Sequence, residues 1–225
     1  MVLYPSGRTG EYTTHPNTKK IRNRAFYYAQ KLTKITFNSG LEEIGNDVFQ
    51  GAASLKEIEY APTATLKKIG TFAFYGTGLE KLTIPASVEE IGWSAFSPTK
   101  LKSVEVEANS NLKTIGRDAF ANNPNLEEFK FLGETKLETI ETGAFKGNTK
   151  LKEFTIPKNV TTIERGAFDG NIAMEKVTFD QPAKIQTIGE GAFQGAQALK
   201  RIELPNTVTT ISKDAFNTCK LSLIH

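Results

Sequence analysis

Histidine and thiol chemistry in this 225-residue chain rests on three residues, His15, His225 and Cys219. A nucleophile activated by a histidine needs the two side chains within hydrogen-bond reach, with a third group to orient the base. A zinc site needs three or four nitrogen, sulfur or oxygen ligands held close together. His15 lies near the start and His225 is the last residue, so no histidine triad and no histidine-rich metal site can be assembled. Carboxylates occur in pairs, as at Glu42 and Glu43 or Glu127 and Glu128. On an extended segment adjacent side chains point to opposite faces, which prevents such a pair from converging on one bond. The glycines recur in one repeating context rather than in a phosphate-cradling loop. These residues predict no enzyme, no cofactor and no metal, and point to an interaction module.

Charge and hydropathy narrow the partners. The 28 basic and 25 acidic residues give a net charge of +3 and are scattered in small groups along the chain. A nucleic-acid binder would gather its basic residues on one face, so nucleic acid is excluded as a partner. No run approaches the roughly 20 apolar residues that span a bilayer, which excludes direct membrane insertion. The opening MVLYPSGRTG has neither the charged nor the apolar region of a secretory signal. A single cysteine excludes an internal disulfide framework, and Cys219 reads as a small residue filling a repeat position. Oligomeric state and redox compartment stay open.

What must position any functional group is a repeat. Ile-x-x-x-Ala-Phe occurs nine times, starting at Ile21, Ile44, Ile69, Ile91, Ile115, Ile140, Ile163, Ile188 and Ile211, with Val48 the one replacement for alanine. The closing phenylalanines are Phe26, Phe49, Phe74, Phe96, Phe120, Phe145, Phe168, Phe193 and Phe216, a period of 22 to 25 residues. Such a period marks a solenoid or array. In "LKEFTIPKNVTTIERGAFDG" the alternation of Phe154 and Ile156 with Thr155 reads as a strand with one buried face. Pro157 ends that strand's hydrogen bonding, as Pro85 and Pro205 do in their repeats. "VTTI" reads as a second, shorter strand, and "ERGAF" as one helical or 3-10 turn that drops Ala167 and Phe168 into the core. One repeat cannot cover its own apolar face, and stacked repeats can. Phe49, Phe74, Phe96, Phe120, Phe145, Phe168, Phe193 and Phe216 are accordingly assigned to the structural core.

The fold predicted is a repeat solenoid, a right-handed superhelix of short parallel strands with short helical or 3-10 turns. It forms a single domain over 1–225, with a degenerate capping repeat at 1–26, about eight regular repeats over 27–216 and the start of a truncated repeat at 217–225. The chain reads as excised from a longer protein, since "LSLIH" begins another unit. Between the two strands of each unit the connection holds five residues after Tyr60, Val106, Phe131 and Phe179 but three after Ile84, Ile156 and Leu204, which makes that edge uneven.

Stacking in register puts equivalent residues of adjacent coils about 4.8 Å apart. One column runs Lys56, Glu80, Lys102, Glu127, Lys152, Glu175, Lys200, and a second begins with Glu42 and Glu43, Lys67 and Lys68, Glu89 and Glu90, Lys113 and Glu138 before turning to threonine. Alternating charge neutralises itself and gives no single-signed field to steer a polyanion. Asn123, Asn148 and Asn171 form a column expected to satisfy turn backbone groups. Outside the core pattern stand Phe72, Tyr75 and Trp93, with Tyr27 and Tyr28 further back. Trp and Tyr are enriched at interface hot spots, so Phe72, Trp93 and Tyr75 are the candidate protein-binding residues.

The consensus Leu-x-x-Ile-x-Ile-Pro-x-x-Val-x-x-Ile-Gly-x-x-Ala-Phe resembles the BspA-like leucine-rich repeat, and the resemblance covers nearly the whole chain. "VLYPSGRTGEY" is similar to the start of such arrays, and "YTTHPNTKKI" aligns with "FTIPKNVTTI", with Thr14 and Thr18 in place of core residues. The resemblance implies an extracellular or cell-surface protein, displayed as an adhesive or host-binding repeat domain whose partner is a host matrix or surface protein. It carries over no functional residue. Two alternatives remain open: a structural spacer within a larger surface protein, and a carbohydrate-binding array, for which Phe72 and Trp93 are neighbours but out of register.

Overall fold

The computed structural model describes residues 10–222. The expectations for the opening "VLYPSGRT" and for His225 lie outside the described residues. Each coil contributes a wide strand and a narrow one. The wide strands are β1 (Gly10–Thr13), β3 (Leu32–Phe37), β5 (Glu57–Tyr60), β7 (Lys81–Ile84), β9 (Ser103–Val106), β11 (Glu128–Phe131), β13 (Glu153–Ile156) and β15 (Lys176–Phe179). The narrow ones are β2 (Lys20–Ile21), β4 (Glu43–Ile44), β6 (Lys68–Ile69), β8 (Glu90–Ile91), β10 (Thr114–Ile115), β12 (Thr139–Ile140), β14 (Thr162–Ile163), β16 (Thr187–Ile188) and β17 (Thr210–Ile211). All pairings are parallel, and the result is a parallel β-solenoid of about nine turns.

The repeat isoleucines stack in register down one continuous nine-stranded sheet from β2 to β17. Behind it the repeat phenylalanines form a column with ring centroids 5.0 to 5.6 Å apart, nearly parallel from Phe49 to Phe216. The spacing is close to the coil rise, so each ring covers the next. Phe49, Phe74, Phe96, Phe120, Phe145, Phe168 and Phe193 are fully buried, whereas Phe216 is partly exposed. Burying one such side chain contributes about 1.5 to 3 kcal/mol. The column is thus a main source of stability.

The expected helical or 3-10 turn is absent among the described residues; the motif forms a chain of tight turns instead. The reason is the backbone. The third residue after every repeat isoleucine has a left-handed φ, at Arg24, Asp47, Phe72, Ser94, Asp118, Gly143, Gly166, Gly191 and Asp214, between 48° and 66°. A left-handed residue at that point stops any run of right-handed residues long enough to be a helix. Its consequence is an alternation of hydrogen bonds. In the unit at Ile163, the Ala167 N–H donates back to Glu164 O within the turn, while the Gly166, Phe168 and Gly170 N–H groups donate to Glu190, Ala192 and Gln194 carbonyls of the next coil.

The wide face is different. Its strands fall into three separate sheets, β1-β3-β5, β7-β9-β11 and β13-β15, and residues 201–205 form no strand at all. In four coils the N–H just past the wide strand donates to the strand-end carbonyl of the coil before: Ala61 to Phe37, Glu107 to Ile84, Leu132 to Val106 and Asp180 to Ile156, at 2.8 to 3.0 Å. Pro85, Pro157 and Pro205 hold that position in three others, and in the coil of β3 the Asn38 N–H donates to Thr14 Oγ1 instead. Proline has no N–H. Each interruption lies just before a proline-bearing coil, so the prolines break the sheet between coils as well as ending a strand.

The first described coil departs from the repeat at a core position. Thr14 stands where later coils carry a large apolar residue, such as Phe37 or Ile84, and its Oγ1 donates to Asn38 Oδ1 at 2.6 Å while accepting the Asn38 N–H at 2.8 Å. The Asn column behaves as expected: Asn148 Oδ1 accepts the Asn123 N–H and Asn171 Oδ1 accepts the Asn148 N–H, at 2.9 and 2.8 Å, inside the core.

Candidate interaction surface

The second residue after each repeat isoleucine lies at the surface of the stacked motif turns, and in some coils the third residue and the residue after phenylalanine do too. Three neighbouring projections are aromatic. Trp93 is 47% exposed and Tyr75 is also exposed, with Phe72 half-buried between them. The Phe72 ring lies 5.0 Å from the Trp93 ring and 5.5 Å from the Tyr75 ring, centroid to centroid. The structure therefore brings the three candidate residues into one cluster. Phe72 holds the left-handed position at φ 52°, which costs a residue other than glycine about 1 to 2 kcal/mol. Where the other coils place arginine, serine, aspartate or glycine, this one keeps a bulky apolar side chain against that cost.

A cation completes the cluster. The Arg117 guanidinium sits 5.7 Å from the Trp93 ring centroid. Arg117 is held by its own surroundings, its N–H donating to Glu141 Oε2 at 2.8 Å and its side chain pairing with Asp118 at 3.4 Å. Two coils towards the N-terminus the exposed Tyr27 and Tyr28 make a second pair, 4.7 Å between centroids, with Arg24 5.4 Å from the Tyr27 ring. The Tyr28 ring lies across Gly51 so closely that a Cβ there would come within 3.0 Å of it. Beside Trp93 a shallow groove of about 440 Å³ reaches to the narrow sheet, with Glu89, Glu90, Lys113 and Glu141 on its wall. Two of these carboxylates are already paired, Glu90 with Lys68 at 2.9 Å and Glu89 with Lys113 at 3.7 Å.

Reading the sequence for aromatics alone misses Arg24 and Arg117. The signal for Arg117 was present: it is the second residue after Ile115, as Trp93 is after Ile91, so in-register stacking puts one over the other.

The charge column on the wide face needs correcting. Of its six junctions, the described residues close one, Lys102 to Glu80 at 2.7 Å. Three junctions, Lys56 to Glu80, Glu127 to Lys152 and Glu175 to Lys200, cross the proline-bearing interruptions, where no strand pairing holds the two coils in register. Glu127 turns to Lys150 instead, at 3.8 Å. On the unbroken narrow sheet the pairs form more regularly, as at Lys19 and Glu42, Lys20 and Glu43, and Lys68 and Glu90.

The residues with reactive potential lie apart from the aromatic edge. Cys219 is half-buried, its Sγ donates to Phe193 O at 3.2 Å, and burial pushes its thiol above the ordinary range. A thiol so held is a poor nucleophile. His15 accepts the Asn17 N–H at Nδ1 in a local turn, 3.2 Å away. Among the described residues no group of three or more His, Cys, Asp or Glu side chains could hold a metal ion, and no helix is long and apolar enough to cross a membrane.

The chain matches the model of the BspA type leucine rich repeat region, in 6 copies, over residues 19–136 and 113–225. No curated protein matches it. Among solved structures it is similar to a leucine rich cell surface protein from Faecalibacterium prausnitzii A2-165, with 21% identity, 97% of this chain and 82% of that one covered, and a TM-score of 0.41. It is also similar to a leucine-rich repeat protein from Eubacterium ventriosum, at 17% identity over 98% and 86% of the two chains with a TM-score of 0.47. A third is the leucine-rich repeat protein of T. pallidum, at 20% identity over 88% and 86%, TM-score 0.47.

Proposed function

Because the chain belongs to the BspA type leucine-rich repeat family, we propose that it is a non-enzymatic protein-interaction module, the adhesive or host-binding repeat domain of a cell-surface or secreted protein. We take residues 1–225 as one domain that meets its partner, a host matrix or surface protein, along the motif edge. The observation that carries this reading is the cluster of Phe72, Tyr75 and Trp93 with Arg117 beside the indole. Trp, Tyr and Arg are the residue types that dominate binding energy at protein interfaces. Here they are held by a rigid array, so little side-chain freedom is left to lose on binding.

The test is a binding screen of the purified chain against extracellular-matrix and host-surface proteins at physiological salt, with Trp93→Ala in parallel. Loss of a hot-spot residue costs about 2 kcal/mol or more, roughly a thirtyfold weakening. Saturable binding weakened to that degree supports the reading. Binding unchanged in Trp93→Ala moves the interface off this edge, and binding to none of the panel favours a structural spacer. Arg117 already lies over the indole ring, which disfavours a sugar platform at Trp93.

A further inference from the structure

The third interruption of the wide face differs from the other two. β7 and β13, which follow the first two interruptions, each pair with the strand beyond them. Residues 201–205 pair with no strand among the described residues, and between them and β15 opens a groove of about 720 Å³. Its floor includes Val177, Phe179, Ile202 and Leu204, and Glu175 and Arg201 stand on its rim.

The main chain of β15 defines what fits there. Alternate residues of a parallel strand turn their N–H and C=O groups to opposite neighbours. The Lys176 N–H donates to Lys152 O and the Asp180 N–H to Ile156 O, so the even-numbered residues face β13. Val177 and Phe179 then face the groove. Pro205 has no N–H to offer the Phe179 carbonyl, which instead accepts a bond from the exposed Gln181 side chain at 3.2 Å. We propose that this open edge of β15 accepts an extended segment of a partner polypeptide as an added strand, its main chain paired with Val177 and Phe179. Such strand addition takes affinity from main-chain bonds and selectivity from alternate side chains. Here an apolar residue opposite Val177 would enter the groove, and a basic residue opposite Glu175 would continue the Lys–Glu alternation of the column.

The proposal rests on the reading of the chain as a protein-interaction module but not on the aromatic edge. Its test is therefore read at different residues. The probe is an acetylated, amidated peptide of the sequence LKSVEVE, residues Leu101–Glu107. Within the protein this segment pairs β7 with Val104 opposite Leu82 and Val106 opposite Ile84, and Glu107 N–H bonded to Ile84 O at 3.0 Å. Laid on β15 in the same register it puts Lys102 opposite Glu175 and Val104 opposite Val177. Amide exchange of the full chain is followed by NMR with and without peptide. The expected result is a slowing of the Val177 and Phe179 amides by roughly tenfold or more at saturation, with shifts confined to β15 and residues 201–205. Pro205→Asp restores the missing donor, closes the edge and removes peptide binding. A second probe with proline at its last position, lacking that donor, binds more weakly and keeps the test independent of how Pro205→Asp folds. Val177 and Phe179 amides already protected without peptide, equal uptake by Pro205→Asp, or shifts elsewhere would each overturn the proposal. Such a failure leaves the Trp93 result untouched, and a failure at Trp93 leaves this one.

Discussion

The two flanks of the solenoid differ in a way that runs against strand length. Two-residue strands make an uninterrupted sheet of nine, while strands of four to six residues make three sheets of three, three and two. Longer strands offer more ladder bonds, so length alone predicts the opposite. What separates the flanks is the constancy of spacing and the supply of donors. Every motif places its isoleucine and phenylalanine five residues apart, so each narrow strand meets the next in register. The wide strands are followed by connections of three or five residues, and proline stands where three of their coils need an N–H. In a stacked array, continuity is set by the least regular position of the repeat, and the sheet fails there without disturbing the column behind it.

The largest expected effect tests how far the flanks are independent. The Phe145 ring is fully buried and lies 4.8 to 5.6 Å from those of Phe120, Phe129, Phe154 and Phe168. Phe145→Ala is expected to cost about 3 to 5 kcal/mol in chemical denaturation, because a cavity forms that neighbouring coils cannot fill. Phe131→Ala, at a half-buried side chain on the open edge of β11, is expected to cost under about 2 kcal/mol. Phe26→Ala, in the first described coil, should fall between them. Equal small losses at Phe145 and Phe131 would break the comparison, since the continuous flank would then be no tighter than the interrupted one.

Next in size comes a steric test. A Cβ on Gly116, on the continuous flank, would sit 2.5 Å from the Ile91 carbonyl oxygen, a backbone atom that cannot yield without moving a strand. Gly116→Ala is expected to destabilise by about 1 to 3 kcal/mol. On the variable connection a Cβ on Gly133 meets the Ala108 side chain at 3.0 Å. That neighbour lies on a loop that can shift, so Gly133→Ala should cost less than half as much by thermal melting. A reversed order would mean that the loops, and not the motif, fix the stacking distance.

Much of this was legible from residues alone. The motif gave the coil, the phenylalanine column and the asparagine ladder, because a fixed period converts sequence position directly into neighbourhood. Phe72, Tyr75 and Trp93 stood out because they break the polar pattern, and their clustering follows from being one coil apart. The turn geometry was not legible. Ser94, Asp118 and Gly143 share a left-handed backbone yet share no side-chain type, and a five-residue stretch such as "ERGAF" reads equally well as one helical or 3-10 turn. The interruptions were half legible: each proline announced a strand end, but its effect on the coil before it depends on whose carbonyl goes without a donor, which is a property of the stack.

That dependence gives the third prediction. Pro157→Asp supplies an N–H to the Phe131 carbonyl and should join β11 to β13. One added hydrogen bond contributes about 0.5 to 1.5 kcal/mol, and loss of proline's restraint on the unfolded chain removes about 0.4 to 1 kcal/mol. Global stability is therefore expected to change by less than about 1 kcal/mol. Hydrogen exchange at the Phe129 and Phe131 amides should nevertheless slow, as the interrupted flank becomes continuous there. Unchanged exchange with the chain folded would show that connection length, not the missing donor, separates the sheets.

The smallest effect is electrostatic and lies at the first interruption. Glu80 has a lysine on either side in its column, Lys102 within the β7-β9 pairing at 2.7 Å and Lys56 across the break. Its carboxyl is held below the ordinary carboxylate value first by the hydrogen bond from Lys102 and by that ammonium's charge, with Lys56 contributing least but one. A group whose folded value is depressed adds stability above its unfolded value, and that stability is lost as pH falls through the folded value. Lys102→Ala should therefore raise the Glu80 midpoint seen by NMR titration and flatten the acid limb of the stability curve. Lys56→Ala should leave both nearly as they were, because a charge that does not stack one strand away is screened by water. Equal shifts from the two substitutions would mean that Lys56 approaches Glu80 in solution and that the first interruption closes.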